Sequence, residues 1–221
     1  MKKYDCILFD LDGTLTDPAL GITNSFMHAL EKFGITVTDR SELFKVIGPP
    51  LVDSFHDFYG IPKEECMQAV AYYREYYTTK GIFENFVYDG IPECLERLRS
   101  SGRVIMTATS KPEPFAIQII EHFGLGRYFD CVAGASLDET RTDKDEVIRY
   151  ALSSNGITDL SSVLMVGDRK YDIIGAKKTG LDSMGVLYGY GTKEEIENSA
   201  PDYIASTPKE IADIILEADK K

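Results

Sequence analysis

The chain is poor in the residues that build zinc, disulfide and imidazole sites. Its 221 residues include four cysteines and three histidines. The cysteines form no C-x-x-C pair and show no zinc-type spacing, which argues against a metal or redox role for them and fits a reducing cytoplasm. Cys6 and Cys131 fall in predicted strands, so we expect them to be buried as small hydrophobic residues. His28, His56 and His122 fall in helical patterns without obvious carboxylate partners, and we expect none of them to be catalytic.

Long apolar runs and positive charge are also scarce. No apolar stretch approaches transmembrane length, and Asp10 and Asp12 interrupt the run behind the basic N-terminus, which excludes an ordinary signal peptide. The chain has 36 acidic residues against 24 lysines and arginines, a formal net charge of −12. This balance argues against partners such as nucleic-acid polymers or anionic membranes. We expect a cytoplasmic location, and we expect the protein to be a monomer or a homodimer.

From about Val87 onward the pattern alternates between helices and apolar strands. The predicted strands are 103–109, 131–135, 162–166, 183–188 and 203–205, and the predicted helices are 91–101, 112–123, 143–155, 170–179 and 207–219. Such alternation predicts an α/β protein with a doubly wound parallel sheet. A site in this kind of sheet lies outside the carboxyl ends of the strands, where the strand order switches.

Residues 16–86 break the alternation. Four helical patterns are predicted there, from Pro18 to Phe33, after Asp39, from Leu51 to Tyr59 and from Pro62 to Lys80. We therefore predict a catalytic core formed by 1–15 and 87–221, and a helical insertion at 16–86. The expected hinges are Thr16–Asp17 and Phe86–Tyr88.

Two carboxylates follow the first apolar run of the chain. Cys6–Phe9 has the pattern of a short buried strand, and Asp10-Leu11-Asp12-Gly13 comes next. Carboxylates at a strand end repel each other and lose solvation, so we expect a cation between them. Mg²⁺ takes oxygen ligands of this kind and leaves room for a substrate phosphate. For this stretch alone, a polar turn with an Asx cap is the alternative.

Polar residues also follow two later apolar runs of the chain, and a lysine begins one of the helices. The run at 162–166 ends in Gly167-Asp168, and Asp172 follows one helical turn later. The run at 103–109 ends in Thr109-Ser110-Lys111, whose hydroxyls can donate hydrogen bonds to phosphate oxygens. Lys144 lies at the start of the helix that precedes the Asp168 strand. Together these residues supply a nucleophile candidate, acids, a metal pocket, hydroxyl donors and a cation.

These four motifs, in this order, resemble those of haloacid dehalogenase (HAD) superfamily phosphatases over essentially the whole chain. The likeness is to the phosphoglycolate phosphatase and 5′-nucleotidase branch, which implies an α-helical cap inserted after the first strand of a HAD-like Rossmannoid core. Lys111 competes with Lys144 for the third motif. In this family that lysine comes from the segment before the last acidic strand, which favours Lys144 and leaves Lys111 to face substrate or cap.

The resemblance implies a two-step phosphoryl transfer. Asp10 would be the nucleophile and would form an aspartyl-phosphate, and Asp12 would act as general acid and then base. Thr109 and Lys144 would complete the catalytic set. The implied phosphate-binding residues are Leu11, Asp12, Thr109, Ser110, Lys111 and Lys144, and the implied Mg²⁺ ligands are Asp10, Asp12, Asp168 and Asp172.

The implied function is Mg²⁺-dependent hydrolysis of a small phosphorylated metabolite, a 5′-nucleotide or a phosphoglycolate-like phosphomonoester. A sugar phosphomutase is the alternative, but such mutases usually carry a G-x-x-R turn in the cap, and here the turn is Gly48-Pro49-Pro50-Leu51. A dehalogenase would lack the Asp12 partner, and a non-catalytic binding module would not need every motif residue intact. We expect Gly189-Tyr190-Gly191 to form a mobile turn that could line the site.

Overall fold

The computed structural model describes residues 3–138 and 140–217. Within these ranges the strands, numbered in chain order, are β1 (Cys6–Phe9), β2 (Thr16–Asp17), β3 (Phe86–Val87), β4 (Val104–Pro112), β5 (Cys131–Ala135), β6 (Val163–Gly167), β7 (Asp182–Val186) and β8 (Tyr203–Ala205). The helices are α1 (Ala19–Lys32), α2 (Leu51–Tyr59), α3 (Lys63–Tyr77), α4 (Ile91–Ser100), α5 (Glu113–His122), α6 (Lys144–Ser154), α7 (Lys170–Thr179), α8 (Lys193–Asn198) and α9 (Pro208–Glu217). None of these helices combines the length and apolar character needed to cross a lipid bilayer.

Six of the strands form one sheet in the order β5-β4-β1-β6-β7-β8, and each neighbouring pair is parallel. From β1 the chain builds outward to β4 and β5, then returns to the other side of β1 with β6 and continues to β7 and β8. The strand order therefore switches between β1 and β6, which is where a ligand crevice opens in such sheets. The predicted α/β class with a doubly wound parallel sheet is confirmed.

The core of the sheet is apolar on both of its sides because the strands are covered by helices. On one face, Val147 and Ile148 of α6 and Ala176 of α7 pack with Met106 and Met165 of the sheet. Burial of such side chains contributes about 1.5–3 kcal/mol each. This packing fixes the position of α6 and α7, whose first turns carry Lys144 and Asp172.

Contacts between Cα atoms divide the chain into two compact units. One comprises the chain up to Thr16 and from Val87 onward, and the other is Asp17–Phe86. Inside the second unit, the ring of Phe26 lies 4.5 Å from Phe55 and 5.3 Å from Tyr73, and Tyr73 stacks on Tyr77 at 5.3 Å. These tyrosines therefore serve as packing residues of the helical unit.

Several details differ from the expectations drawn from the sequence. The helix α8 has no counterpart in the predicted elements, because its residues are polar and only Ile196 is buried. Cys131 is half-buried rather than buried, since it lies on the edge strand β5. His28 does have a carboxylate partner, because its Nε2 lies 3.0 Å from Glu75 Oε2. That partner is on α3, and the sequence pattern does not show which helices become neighbours.

The helical unit depends on one close backbone approach. Gly21 of α1 donates its N–H to the Glu84 carbonyl at 2.9 Å, and a Cβ at Gly21 would overlap the Gly81 carbonyl oxygen. Alanine has the higher helix propensity by about 1 kcal/mol, but here the backbone must move to admit it.

We therefore expect Gly21→Ala to lower the free energy of unfolding by about 2 kcal/mol, measured by urea denaturation. Gly126→Ala is the matched control, because no atom lies within 4 Å of the position its Cβ would take. Equal stability of the two variants would contradict the inferred close approach.

Candidate active site

The pairing of β1 with β6 brings two acidic loops together. Phe9 pairs with Val166, and the Asp10 N–H continues this register by donating to the Val166 carbonyl at 2.9 Å. Asp168 comes directly after β6, so both aspartates lie at carboxyl ends of neighbouring strands, at the switch in strand order. The first loop then turns back on itself, with the N–H groups of Leu15 and Thr16 donating to the Leu11 carbonyl.

Three buried carboxylates meet at this point. Asp10, Asp168 and Asp172 each present an oxygen, and these oxygens all lie within 4.8 Å of one another. Asp172 reaches the cluster from the first turn of α7, where a Cβ on Gly167 would overlap its carboxyl group. Asp168 is oriented by two donors, the Thr14 hydroxyl at 3.3 Å and the Tyr190 N–H at 2.7 Å.

Burial and mutual repulsion make ionisation of this cluster unfavourable. Burial raises the pKa of Asp168 to about 8, and the charges of Asp172 and Asp10 act in the same direction. Burial also raises the pKa of Asp172 to about 6, although the ammonium of Lys144 opposes this shift. The cluster is therefore a place where a bound cation would lower the free energy of the ionised form.

Lys144 supplies a positive charge beside two members of the cluster. Its Nζ lies 3.0 Å from Asp10 Oδ1 and 2.7 Å from Asp172 Oδ1, and it donates to the Ala108 carbonyl at 3.1 Å. Burial alone would lower the pKa of Lys144, but the two carboxylates outweigh burial and raise it, so the side chain remains charged. The helix start that carries it is fixed by Glu146, which accepts the Asp143 N–H at 3.2 Å.

Lys111 pairs with the other aspartate of the first loop. Its Nζ lies 2.8 Å from Asp12 Oδ2, and both side chains are largely buried. Burial raises the pKa of Asp12, and the charge of Lys111 opposes that shift. The Lys111 N–H donates to the Thr109 hydroxyl at 3.2 Å, so Thr109 is linked to this pair through the backbone of β4. The two candidate lysines thus serve different carboxylates.

The donor set fits a hard divalent cation. Asp12 Oδ1 is buried and accepts no hydrogen bond from any described residue, while Asp10 Oδ1 and Asp172 Oδ1 are buried against the Lys144 ammonium. Buried acceptors without donors are costly, and carboxylate oxygens are the ligands that Mg²⁺ prefers. The N–H groups of Leu11 and Asp12 donate no hydrogen bond within residues 3–138 and 140–217, so they are available to an anion.

Some of the site residues predicted from the sequence have no side-chain contact with the acidic cluster among the described residues. The Leu11 side chain is buried in the core, so only its backbone can serve the site. Ser110 is half-buried, and its hydroxyl makes no hydrogen bond to the described part of the chain. The segment at Gly189-Tyr190-Gly191 was expected to be mobile, but both glycines pack closely on Asp168, where a Cβ would overlap it.

Sequence reasoning gave no role to Thr14 or Tyr188. Thr14 and the Tyr190 N–H orient Asp168, and the Tyr188 hydroxyl donates to the Thr14 carbonyl. The available signals were the threonine after Gly13 and the paired glycines at 189 and 191, since closely spaced glycines mark a close backbone approach.

The parallel sheet and the acidic loops at its switch point define an α/β protein with a buried acidic cluster that could hold a metal ion. The chain belongs to the haloacid dehalogenase-like hydrolase family, whose model matches residues 7–186. This confirms the resemblance inferred from the four motifs, and the chain is a phosphatase of that family.

Individual relatives cover nearly the whole chain. A 5′-nucleotidase of Pseudomonas aeruginosa is 45% identical over 199 residues, which are 90% of each protein. Tyrosine-protein kinase PtkA of Mycobacterium tuberculosis is 38% identical over 195 residues, covering 88% of this chain and 66% of PtkA. The crystal structure of a protein described as a predicted phosphatase from Clostridium acetobutylicum has a TM-score of 0.94 at 48% identity, over 98% of this chain and all of that one.

The raised pKa of Asp168 predicts that this residue destabilises the metal-free protein. The native carboxyl holds its proton up to about pH 8, whereas in the unfolded chain it loses the proton near pH 4. Stability is therefore lost as the pH rises between these values. In EDTA at pH 8 we expect Asp168→Asn to be roughly 2 kcal/mol more stable than the native chain, raising Tm by about 4–8 °C.

Differential scanning calorimetry at pH 8 and pH 5 tests this, and the gain in Tm should shrink at pH 5. Asp89→Asn is the control, because Asp89 is an exposed carboxylate in the same unit. A lower Tm for Asp168→Asn at pH 8 would show that the hydrogen bonds of this carboxylate outweigh the repulsion.

Proposed function

We propose that the chain is a Mg²⁺-dependent phosphatase that hydrolyses a small phosphomonoester through an aspartyl-phosphate on Asp10. The observation that supports this best is the environment of Asp10 Oδ1. This oxygen is buried at the carboxyl end of β1 and lies 3.0 Å from the Lys144 ammonium. A buried carboxylate at this position, with a cation beside it to balance charge on the transferring group, is suited to attack phosphorus.

The reaction follows from the roles of the two aspartates in the first loop. Asp10 attacks phosphorus, the bond between phosphorus and the ester oxygen breaks, and Asp12 gives its proton to the leaving alkoxide. Asp12 then takes a proton from water, the water oxygen bonds to phosphorus, and the bond to Asp10 breaks to release phosphate. Burial raises the pKa of Asp12, which favours the protonated form that the first step needs.

The remaining residues balance charge on the transferring group. Lys144, the Leu11 and Asp12 N–H groups and the hydroxyls of Thr109 and Ser110 would contact the phosphoryl oxygens. Asp10, Asp168, Asp172 and the Asp12 carbonyl would hold Mg²⁺, which shields the anionic nucleophile from the anionic phosphate when bound.

We infer that the helical insertion acts as a cap that governs substrate choice, while residues 1–15 and 87–221 carry the chemistry. All nine site residues named from the sequence lie in the first unit, and the insertion corresponds to the second. The role of the turn at Gly48-Pro49-Pro50 in closing over a substrate stays a prediction, as do a cytoplasmic location and a monomeric or homodimeric state.

Among small phosphomonoesters, we favour a nucleoside 5′-monophosphate. The support is the relative named 5′-nucleotidase, at 45% identity. Relatives named pyrophosphatase PpaX and phosphoglycolate phosphatase are 31% and 27% identical. The phosphomutase alternative differs in product, since a mutase returns the phosphoryl group to the sugar rather than to water.

Asp10→Asn should lower kcat at least about 10³-fold, because an amide is a poor nucleophile and brings no negative charge to the metal. Phosphate release is the assay, and mass spectrometry of the acid-quenched native enzyme should find a phosphoryl group on the peptide containing Asp10. Asp5→Asn, an exposed substitution just before β1, should leave kcat unchanged. If Asp10→Asn keeps more than about a few per cent of turnover with deamidation excluded, Asp10 is not the nucleophile.

Activity should disappear in EDTA and return on titration with Mg²⁺. The reason is that the acidic cluster cannot accept a phosphate dianion unshielded. The check is the rate of phosphate release against free Mg²⁺ after exhaustive chelation. Undiminished turnover in metal-free buffer would rule out the proposed mechanism.

Substrate preference should appear as a ranking of kcat/KM across nucleoside 5′-monophosphates, phosphoglycolate, pyrophosphate and sugar phosphates. We expect the 5′-monophosphates to rank first, with phosphate as the product. A ranking led by phosphoglycolate or pyrophosphate would overturn the nucleotide assignment, and an isomerised sugar phosphate without phosphate release would establish the mutase.

A further inference from the structure

One segment beyond the four motifs contacts both acidic loops. We name residues 188–195 the bracing segment; it follows β7 and runs into the first turns of α8. It includes Tyr188, Gly189, Tyr190, Gly191 and Glu195. Its contacts reach the loop after β1 and the loop after β6.

The two glycines allow the bracing segment to lie directly on Asp168. A Cβ on Gly191 would overlap the Asp168 carbonyl oxygen, and a Cβ on Gly189 would overlap both the Gly13 carbonyl oxygen and the Asp168 side chain. At this distance the Tyr190 N–H donates to Asp168 Oδ2 at 2.7 Å. One oxygen of the carboxylate is thereby fixed by the backbone of the segment.

Tyr188 orients the other oxygen of the same carboxylate indirectly, through Thr14. Its hydroxyl donates to the Thr14 carbonyl at 2.8 Å, and its ring lies edge-on to Tyr88 at 5.0 Å. Thr14 in turn donates its hydroxyl to Asp168 Oδ1 at 3.3 Å. Both oxygens of Asp168 are therefore oriented by groups that the bracing segment supplies or positions.

Glu195 holds the backbone between Asp168 and Asp172. Its Oε1 accepts a hydrogen bond from Arg169 Nε and another from the Lys170 N–H, each at 2.9 Å. The Arg169 N–H donates to Asp172 Oδ2 at 3.0 Å, so the residue held by Glu195 also orients the second carboxylate. The exposed fractions of the Arg169 and Glu195 side chains are 13% and 20%, so solvent screens this ion pair only partly.

We propose that Tyr188 and Glu195 are positioning residues for a divalent cation, which they serve by fixing the carboxylates of Asp168 and Asp172. Both residues act through the groups that hold these carboxylates, and neither is assigned a role in phosphoryl transfer. Groups that orient metal ligands set metal affinity, because a ligand that must be ordered on binding binds less tightly. This inference rests on the proposed function, which supplies the cation.

The experiment measures Mg²⁺ binding by isothermal titration calorimetry on the full chain, for Tyr188→Phe and Glu195→Ala. Each variant has a matched control. Tyr203→Phe removes a tyrosine hydroxyl that contacts Tyr4; Tyr203 begins β8, so it lies at the end of the sheet away from the acidic loops. Glu194→Ala removes an exposed carboxylate from α8, the helix that also carries Glu195. Glu195→Gln keeps an acceptor for the Lys170 N–H and tests rescue.

We expect Tyr188→Phe and Glu195→Ala to raise the Mg²⁺ dissociation constant about tenfold, and Glu195→Gln to recover part of the loss. The Mg²⁺ concentration for half-maximal hydrolysis of p-nitrophenyl phosphate should rise in parallel. At saturating Mg²⁺, KM for this substrate should stay at the native value, because the positioning residues do not touch substrate. Both controls should bind Mg²⁺ like the native chain.

A merely structural role would lower Tm and leave the dissociation constant unchanged, and that result would overturn the inference. Tyr188→Phe keeps the ring and its packing, so it decides the question if Glu195→Ala does not fold. If the native chain binds Mg²⁺ and hydrolyses p-nitrophenyl phosphate, but both variants bind Mg²⁺ as tightly as their controls, only the positioning role is contradicted. If the native chain neither binds Mg²⁺ nor hydrolyses phosphomonoesters, the proposed function falls, and this inference falls with it.

Discussion

The mutual repulsion of three buried carboxylates is the constraint that shapes the rest of the site. Asp10, Asp168 and Asp172 come from two strand ends and a helix, and their oxygens share a space less than 5 Å across. Lys144 offsets part of this repulsion, and its bond to the Ala108 carbonyl ties it to β4. Buried ion pairs of this kind are weak sources of stability, so the arrangement is better explained by the chemistry it permits.

Much of the fold and of the site could be predicted, because both depend on local patterns. Apolar strands alternating with helices specify a doubly wound sheet, and the carboxyl ends of parallel strands must meet at one edge. Residues at those ends, such as Asp10 and Asp168, are therefore brought together by topology alone. Lys144 was predicted less directly, since its position depends on how the first turn of α6 packs against β4.

The parts that sequence reasoning missed are those set by tertiary contacts. The helix α8 buries only Ile196, so no apolar period marks it, yet it carries Glu195 to the Asp168 loop. The strand β4 continues to Pro112 with a shift of register after Thr109, and this irregular end directs Lys111 toward Asp12. A sequence shows that a lysine follows the strand, but it does not show which carboxylate the lysine reaches.

The charge of the site explains how an acidic protein can accept an anionic substrate. Asp10, Asp12, Asp168 and Asp172 outnumber Lys111 and Lys144 by two, which is the charge of one divalent cation. With the cation bound, the site would be neutral. Burial raises the pKa of Asp12, so protonation of that residue would leave a net positive charge facing the phosphate. The proton that Asp12 donates to the leaving group in the proposed mechanism would then also favour substrate binding, while the net charge of −12 over the whole chain has little effect within this buried volume.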